Sequence, residues 1–380
     1  MKTKQQAIDR RIVLAAQEVP SEGGASTSAY SLFRKMRACD LDVHLVNVID
    51  LELYDYYLYV FGECMGNPDG LENVHNCIVD QRQFQQQPER TALPSLLADI
   101  APEVALGVDS TPALMLKRSM PQVPVIFLAC GCEQAFLHVG RFGTRNAENL
   151  QRKMRPRVYP PELFNSPEVR AIQSCDLLIA NSDLTRDLFG FFYPSFTGKI
   201  ALQPVWFAEW ICEHAAQFAD LAKPFPDREI DLLFIASSWL RDVKNWPLAH
   251  QVISDCRELE TWVVGKLDRA SPHAHCPGFV ENRRELFELM GNARTVVSTS
   301  RLDTAPGVLF EAAVMGCNVV ASRNCGNWKL CHPDLLVERY GRREFAANCR
   351  KATERKYEDR LSDFLAQGSY LDLLDSVAVL

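Results

Sequence analysis

Short apolar runs alternate along this chain with longer segments in which apolar residues recur at helical spacing. Between the first two apolar runs, residues 12–16 and 42–48, the pattern predicts a helix over residues 26–39. Residues 181–183, Asn-Ser-Asp, are typical of a helix N-cap. Regular alternation of strands and helices favours a parallel sheet covered on both faces. The runs that predict strands in this half are residues 12–16, 42–48, 56–61, 104–107, 123–129 and 176–180.

A second series of the same kind begins after residues 203–228, a stretch that is rich in proline and aromatic residues. Residues 342–380 then show helical periodicity without a clear strand, interrupted at Gly368. Two such series predict two α/β domains with a cleft between them. The strands predicted in the second series are residues 231–236, 262–265, 295–298 and 318–321.

Composition narrows the class of protein. The chain has 380 residues, 47% of them hydrophobic and 23% charged, which excludes collagen-like and disordered chains. Its net charge of −7 argues against a non-specific nucleic-acid partner, which would require many cations. Thirteen cysteines cannot all pair, so we interpret them as mostly buried, reduced thiols. No run approaches the roughly 18 apolar residues of a membrane span, and we expect a cytoplasmic protein.

Gly23-Gly24 lies between the first predicted strand and the first helix. Glycines at this place let backbone N–H groups approach an anion at a helix N-terminus, but they equally suit a tight strand-to-helix turn. The three-glycine spacing of dinucleotide-binding dehydrogenases is missing, which disfavours that class.

The most informative segment runs from Ser298 to Asn327. Asp303 is followed eight positions later by Glu311, near the start of a predicted helix. Two carboxylates suit a hydroxyl-rich ligand, because each oxygen accepts a hydrogen bond. Between them, residues 307–309 (Gly-Val-Leu) would present free backbone N–H groups to a phosphate.

This segment resembles the E-x7-E region of retaining glycosyltransferases of the GT-B fold, family 4 type. Asp303 takes the first acidic position, where the family has the longer Glu, and Glu311 takes the second. Pro306 takes the position of the usual glycine. Further matched positions are Ala312, Gly316, residues 319–321 (Val-Val-Ala) and Gly326.

Other segments resemble the family in the same order along the chain. Lys244 matches the lysine that holds the donor diphosphate, whereas the position of the family's arginine is Trp239 in this chain. We infer that Arg241 substitutes for it. Gly278 and Phe279 resemble the segment whose backbone contacts the nucleotide base.

The amino-terminal half differs from the family at one place. Where the family often has a histidine after the fifth strand, this chain reads Cys130-Gly131-Cys132-Glu133. Glu133 and His138 are therefore the acceptor-side candidates. Within the resemblance, Gly23 and Gly24 become part of the loop near the donor phosphates.

The resemblance implies an α/β protein of the GT-B fold, with two Rossmann-like domains facing across a cleft. It implies an acceptor domain over residues 1–205, a donor domain over 206–355, and a C-terminal helix at 356–380 that returns to the first domain. Asp303, Glu311, Lys244 and Gly24 would then line one cleft. The implied reaction moves a sugar from a UDP-, GDP- or ADP-sugar to an unidentified acceptor with retention, without a metal or a cofactor. Lys244 and Arg241 would stabilise the diphosphate, Glu311 would bind the ribose, and Asp303 would bind the sugar; residues 307–309 and 278–279 complete the predicted donor site.

Two alternatives to a glycosyltransferase remain open at this stage. The chain is a GT-B-like module that has lost activity and binds nucleotide-sugars or partners, or it is a sugar-nucleotide epimerase. Residues 273–276 and 331–332 contain histidine and cysteine, but not in the spacing of a four-ligand zinc site. The basic stretches 152–157 and 342–360 are interpreted as solvated faces, with an anionic acceptor or peripheral contact with an anionic membrane as the functional alternatives.

Overall fold

A computed structural model describes residues 10–17, 24–62, 65–136, 166–369 and 372–379. Seven parallel strands form the first sheet in the order β3-β2-β1-β4-β5-β6-β7. The strands are β1 (Ile12–Gln17), β2 (Val43–Asp50), β3 (Val74–Val79), β4 (Val104–Val108), β5 (Val125–Ala129), β6 (Leu177–Ala180) and β7 (Ile200–Leu202). The helices of this part are α1 (Gly24–Ala38), α2 (Leu51–Phe61), α3 (Gln81–Gln86), α4 (Ala92–Ile100), α5 (Ser110–Ser119), α6 (Pro167–Ser174) and α7 (Asp183–Phe192).

A second parallel sheet of five strands follows in the order β10-β9-β8-β11-β12, which repeats the order of the first five strands of the first sheet. Its strands are β8 (Ile230–Ser238), β9 (Thr261–Lys266), β10 (His275–Gly278), β11 (Ala293–Val297) and β12 (Asn318–Val320). The helices of this part are α8 (Val205–Ala216), α9 (Trp246–Asp255), α10 (Arg283–Gly291), α11 (Gly307–Val314), α12 (Arg342–Glu354), α13 (Leu361–Leu365) and α14 (Asp372–Val379).

Both faces of each sheet are covered, as the apolar runs predict. Along β1, Ile12 and Leu14 face one buried cluster while Val13 and Ala15 face another, because successive side chains of a strand point to opposite faces. The first of these clusters continues through α8 into the second sheet, so one apolar core joins the two halves.

Polar contacts also join the two halves. The Thr304 hydroxyl of the second half donates a hydrogen bond of 2.8 Å to the Cys130 carbonyl of the first. The Lys329 ammonium lies 2.5 Å from the Asp183 carboxylate at the start of α7. The carboxyl ends of the two sheets therefore face the same cleft.

The end of the chain reaches back to the first sheet. The Gln203 side chain, immediately after β7, donates hydrogen bonds to the Asp372 carbonyl and the Ser376 hydroxyl of α14. Phe364 of α13 is buried and its ring centroid lies 5.1 Å from that of Phe310 in α11. The predicted return of the C-terminal helix is confirmed.

The strand predicted over residues 56–61 is wrong, because this run forms the second half of α2. The Asp50 carboxylate accepts a hydrogen bond from the Glu52 backbone N–H and caps the helix. Aromatic and β-branched residues favour a strand, but the N-cap at Asp50 favours a helix over this run. Strands β3, β7 and β10 were not predicted from the sequence. Among the described residues, no helix combines the length and apolar character that crossing a bilayer requires.

Candidate functional site

Lys244 and Asp303 form the centre of the site. Lys244 lies in the loop after β8 and Asp303 in the loop after β11, and these two strands are neighbours in the sheet. The Lys244 ammonium donates a hydrogen bond to the Asp303 carboxylate, and both side chains are largely buried. A backbone hydrogen bond of 2.7 Å from Arg301 to the Val243 carbonyl fixes the two loops together. The pair is thus held at the carboxyl ends of adjacent parallel strands, where ligands bind in open α/β sheets.

Glu311 lies on α11, the helix that follows this loop, and its side chain is only 12% exposed. Its Oε1 atom is 2.5 Å from a guanidinium nitrogen of Arg283, the first residue of α10. The Arg283 guanidinium also lies over the Phe287 ring, 5.1 Å from its centroid. One oxygen of Glu311 is therefore held by a cation, so that the carboxylate has a fixed orientation.

The start of α11 leaves backbone donors available. Pro306 is the N-cap and provides no side-chain hydrogen bond to the first turn, where Gly307 and Val308 are half-buried. The Asn327 amide holds the Pro306 carbonyl at 2.8 Å. The first N–H groups of a helix lack intrahelical partners and favour an anion. Leu309, the third residue predicted here, is buried and its N–H bonds to the Pro306 carbonyl.

Trp239 and Arg241 differ sharply in their surroundings. Trp239 is buried, and its indole N–H donates to the Val264 carbonyl, so this side chain is a part of the core. The Arg241 side chain is exposed and makes no hydrogen bond or ion pair with the part of the chain that the structure describes, although its backbone carbonyl accepts a hydrogen bond from the Lys244 N–H. The position where the family has an arginine therefore offers no cation to a ligand, whereas Arg241 is free to reorient.

Gly278 and Phe279 lie at the end of β10, the edge strand of the second sheet. Gly278 has a φ of +90°, which suits glycine. Phe279 is 47% exposed, and the Lys266 ammonium lies 5.6 Å from its ring centroid. An exposed aromatic ring at the carboxyl end of a parallel strand offers a stacking surface to a planar group.

A cavity of about 290 Å³ opens on the first sheet beside the Thr304 contact. Glu133 lines it and accepts a hydrogen bond from the Ser110 hydroxyl. Asp109, at the end of β4, has a φ of +67°, a strained backbone for a residue with a side chain. Its carboxylate accepts a 3.0 Å hydrogen bond from the Cys130 backbone N–H. The cavity thus lies at the switch point between β1 and β4, where the strand order reverses.

Glu168, on α6, closes the same cavity from behind. It is 1% exposed and accepts hydrogen bonds from the Tyr193 hydroxyl at 2.5 Å and the Glu133 backbone N–H at 2.6 Å. Burial raises the pKa of Glu168 to about 7, and burial likewise raises the pKa of Glu133. This side of the cleft therefore carries two carboxyl groups that bind a proton more readily than exposed ones.

The structure brings Lys244 together with Asp303, and places Glu311 on the helix that follows the Asp303 loop. Gly24 is the first residue of α1. Gly23 and His138 lie outside the described residues. Within the described ranges, no group of three or more histidine, cysteine or acidic side chains is arranged to hold a metal ion.

Sequence reasoning missed four polar residues of this region, which are Arg283, Thr304, Asp109 and Glu168. Asn282 caps α10 through hydrogen bonds to the next two backbone N–H groups and thereby places Arg283. The Asn282 cap was a readable signal for the helix, but nothing in the local pattern indicated which carboxylate Arg283 would meet.

No protein-family model matches the sequence, and the sequence matches no curated relative. Solved structures are similar to it over almost the whole chain. The HepE protein of Anabaena, solved in complex with UDP, has a TM-score of 0.61 at 12% identity, covering 96% of this chain and 98% of that one. Sucrose-phosphate synthase of Thermosynechococcus elongatus gives 0.60 at 14% identity, covering 97% and 94%. A glycosyltransferase of Rickettsia africae gives 0.59 at 10% identity, covering 97% and 92%. The chain therefore has the GT-B fold that its sequence predicts.

Proposed function

We propose that this protein is a glycosyltransferase that transfers a sugar from a nucleoside-diphosphate-sugar to a hydroxyl-bearing acceptor. The donor that we propose to test first is a UDP-sugar. The observation that carries the proposal is the Lys244–Asp303 pair at the carboxyl ends of β8 and β11, followed by the open start of α11. Similar structures were solved with UDP and with UDP-glucose, which favours uridine among the donors.

The donor residues take separate roles in this proposal. Glu311 binds the ribose hydroxyls through the oxygen that Arg283 leaves free, and Arg283 orients it. Lys244 and the N–H groups of Gly307 and Val308 stabilise the diphosphate, on which negative charge grows as the sugar–oxygen bond breaks. The exposed Arg241 side chain adds a second cation near the diphosphate when the donor is bound.

Asp303 and the base-side residues complete the donor site. Asp303 holds Lys244 before the donor arrives and then accepts a hydrogen bond from the sugar. The Phe279 ring stacks on the nucleotide base, and the backbone at Gly278 forms hydrogen bonds with the edge of the base. On the acceptor side, Glu133 contacts the acceptor hydroxyl and His138 stays a candidate for the same role. Gly23 and Gly24 stay candidates for binding the donor phosphates.

The finer features of the activity are part of the proposal. We place the reaction among retaining transfers that need no metal, because Lys244 and the start of α11 supply the positive potential near the diphosphate. The proposed domains are residues 1–205, 206–355 and 356–380. A cytoplasmic location fits the twelve described cysteines, which are all unpaired, and peripheral contact with a membrane is a further part of the proposal.

The test compares Lys244→Ala with Glu311→Ala. Glu311→Ala should weaken donor affinity by about 1.5–3 kcal/mol, because its charged hydrogen bonds to ribose exist before and during the reaction. Lys244→Ala should lower turnover by about a hundredfold, more than it lowers affinity, since its charge matters most in the transition state. Lys356→Ala, at an exposed lysine of the tail, is the matched control and should change neither.

Transfer and donor hydrolysis are followed with UDP-, GDP- and ADP-sugars, and the anomeric configuration of the product is read by NMR. Retention is contradicted if the product is inverted. Nucleotide binding without turnover would instead identify a nucleotide-sugar-binding protein. If neither variant changes binding or turnover, the proposed site is wrong.

A further inference from the structure

Helix α2 exposes an unusual amount of apolar surface. The described residues include eight large hydrophobic side chains that are exposed, and six of them lie on this one helix of 11 residues. Tyr59 is 89% exposed. Isolated apolar residues on a surface are ordinary, but a contiguous patch marks a surface that binds something. The six are Leu51, Leu53, Tyr56, Leu58, Tyr59 and Val60.

The exposed residues surround the helix instead of forming one stripe. At the helical rotation of about 100° per residue, they extend over about 220° of its circumference. Among the side chains of α2 that the structure describes, Tyr57 alone is buried, against Ile49 and Met65 in a small cluster of its own, with Tyr54 partly buried beside it. A partner helix would cover a stripe of about 100°. A lipid interface surrounds an embedded helix more broadly and matches this distribution better.

The charged residues of α2 all lie in its first half. Glu52 and Asp55 lie in the first half, and Glu52 is 3.4 Å from Arg82. Residues 56–60, Tyr-Tyr-Leu-Tyr-Val, carry no charge. Tyrosine is enriched at membrane–water interfaces because it has an apolar ring and a polar tip. This layout suits the second half of α2 embedded at a bilayer surface, with the acidic first half at the level of the water.

The basic stretch 342–360 is a weaker candidate for membrane contact. Three of its arginines pair with acidic residues within the fold, among them Arg342 with Asp255 and Arg350 with Glu258. Arg355 likewise lies 2.7 Å from Glu358. An anionic membrane would have to compete with these acidic partners.

Helix α2 also lies next to the cleft. It starts where β2 ends, and β2 is the neighbour of β1, whose last residue Gln17 lines the acceptor-side cavity. We propose that α2 docks this protein on the surface of a lipid bilayer through apolar contact of its second half. Because α2 itself has no cation, the attraction does not depend on anionic lipid.

The experiment measures co-flotation of the full chain with phosphatidylcholine vesicles. The unmodified protein should float with them, equally well at low and high salt and without gain from added phosphatidylserine. The affinity for these vesicles should fall at least about tenfold in the combined variant Tyr56→Gln, Leu58→Gln, Tyr59→Gln. Leu240→Gln, at an exposed leucine outside α2, should float like the unmodified protein.

Circular dichroism verifies that the variants fold. If the triple variant does not fold, Tyr59→Gln alone replaces it and should show a smaller loss of vesicle binding. The proposal is overturned if the unmodified protein ignores neutral vesicles, or if the variants bind them equally well. It is also overturned if light scattering finds a dimer that the triple variant converts to a monomer, because α2 is then an interface between copies. None of these results depends on transferase activity, so the outcome is distinct from that of the donor-site test.

Discussion

Replacing Arg283 by Gln should reduce the ability of this protein to distinguish ribose from deoxyribose. Arg283 holds one oxygen of Glu311 at 2.5 Å, and the other oxygen remains for a ribose hydroxyl. Without the guanidinium, Glu311 keeps its charge but loses its fixed orientation. UDP and dUDP differ only in the 2′-hydroxyl, so the ratio of their affinities reports how well this carboxylate is placed.

The size of the effect follows from exposure. The Arg283 side chain is 46% exposed, so its ion pair with Glu311 contributes about 0.5–1 kcal/mol. UDP affinity should therefore fall about two- to fivefold, since 1.4 kcal/mol corresponds to a factor of ten. Glu311→Ala removes the charged hydrogen bonds themselves, worth about 1.5–3 kcal/mol, and should cost UDP about 10- to 150-fold.

Isothermal titration calorimetry measures both affinities for each variant. Glu311→Ala should bring the UDP and dUDP affinities close together, and Arg283→Gln should move the ratio part of the way. Arg284→Gln is the matched control, because Arg284 is the next residue of α10 and pairs instead with Glu288. An unchanged ratio in Arg283→Gln, alongside a collapsed ratio in Glu311→Ala, would refute the positioning role and leave the ribose site intact.

Three further predictions concern closure, pH and stability. Gly326→Ala would place a Cβ 2.5 Å from the Ser182 hydroxyl of the first half, and 1.6 Å from the Thr304 carbonyl oxygen of its own half. It should therefore push the two halves apart, which small-angle scattering would detect as a larger radius of gyration. Burial lowers the pKa of His44 and of His75, so the folded protein disfavours their protonation. The free energy of unfolding should therefore be highest above pH about 6.5 and should decrease as the pH falls below that value. In His75→Gln, the thermal midpoint should depend less on pH across this range. Arg228→Ala leaves four backbone carbonyls without their buried donor and should lower the free energy of unfolding by about 3–5 kcal/mol in urea titrations, with an unchanged slope as the sign of an intact two-state transition.

The fold was predictable because its signal is local and repeated. Buried parallel strands read as apolar runs, and the order of runs and helices fixed the α/β class before any contact was known. The errors lie where that signal weakens. The run at residues 56–61 has the composition of a strand, but Asp50 caps a helix there. The edge strand β10, His-Cys-Pro-Gly, is short and half exposed, so it lacks an apolar run.

The candidate site was predictable only in part. Asp303, Glu311 and Lys244 stand in a recognisable order along the chain, and the structure joins Lys244 to Asp303. The partner of Glu311 was not predictable, because Arg283 is one of many arginines in a helical segment and its contact spans 28 positions. Glu168 was also missed, since a first-turn acidic residue is ordinary until its burial is known.

The central claim is that a nucleoside diphosphate binds beside Lys244 and Glu311. Calorimetric titration with UDP, GDP and ADP, on the unmodified protein and on Glu311→Ala, tests it most directly. The account predicts that one diphosphate, UDP in the first instance, binds clearly more tightly than the others and that Glu311→Ala weakens this binding at least tenfold. Binding of none of the three, or equal binding by Glu311→Ala, would contradict it.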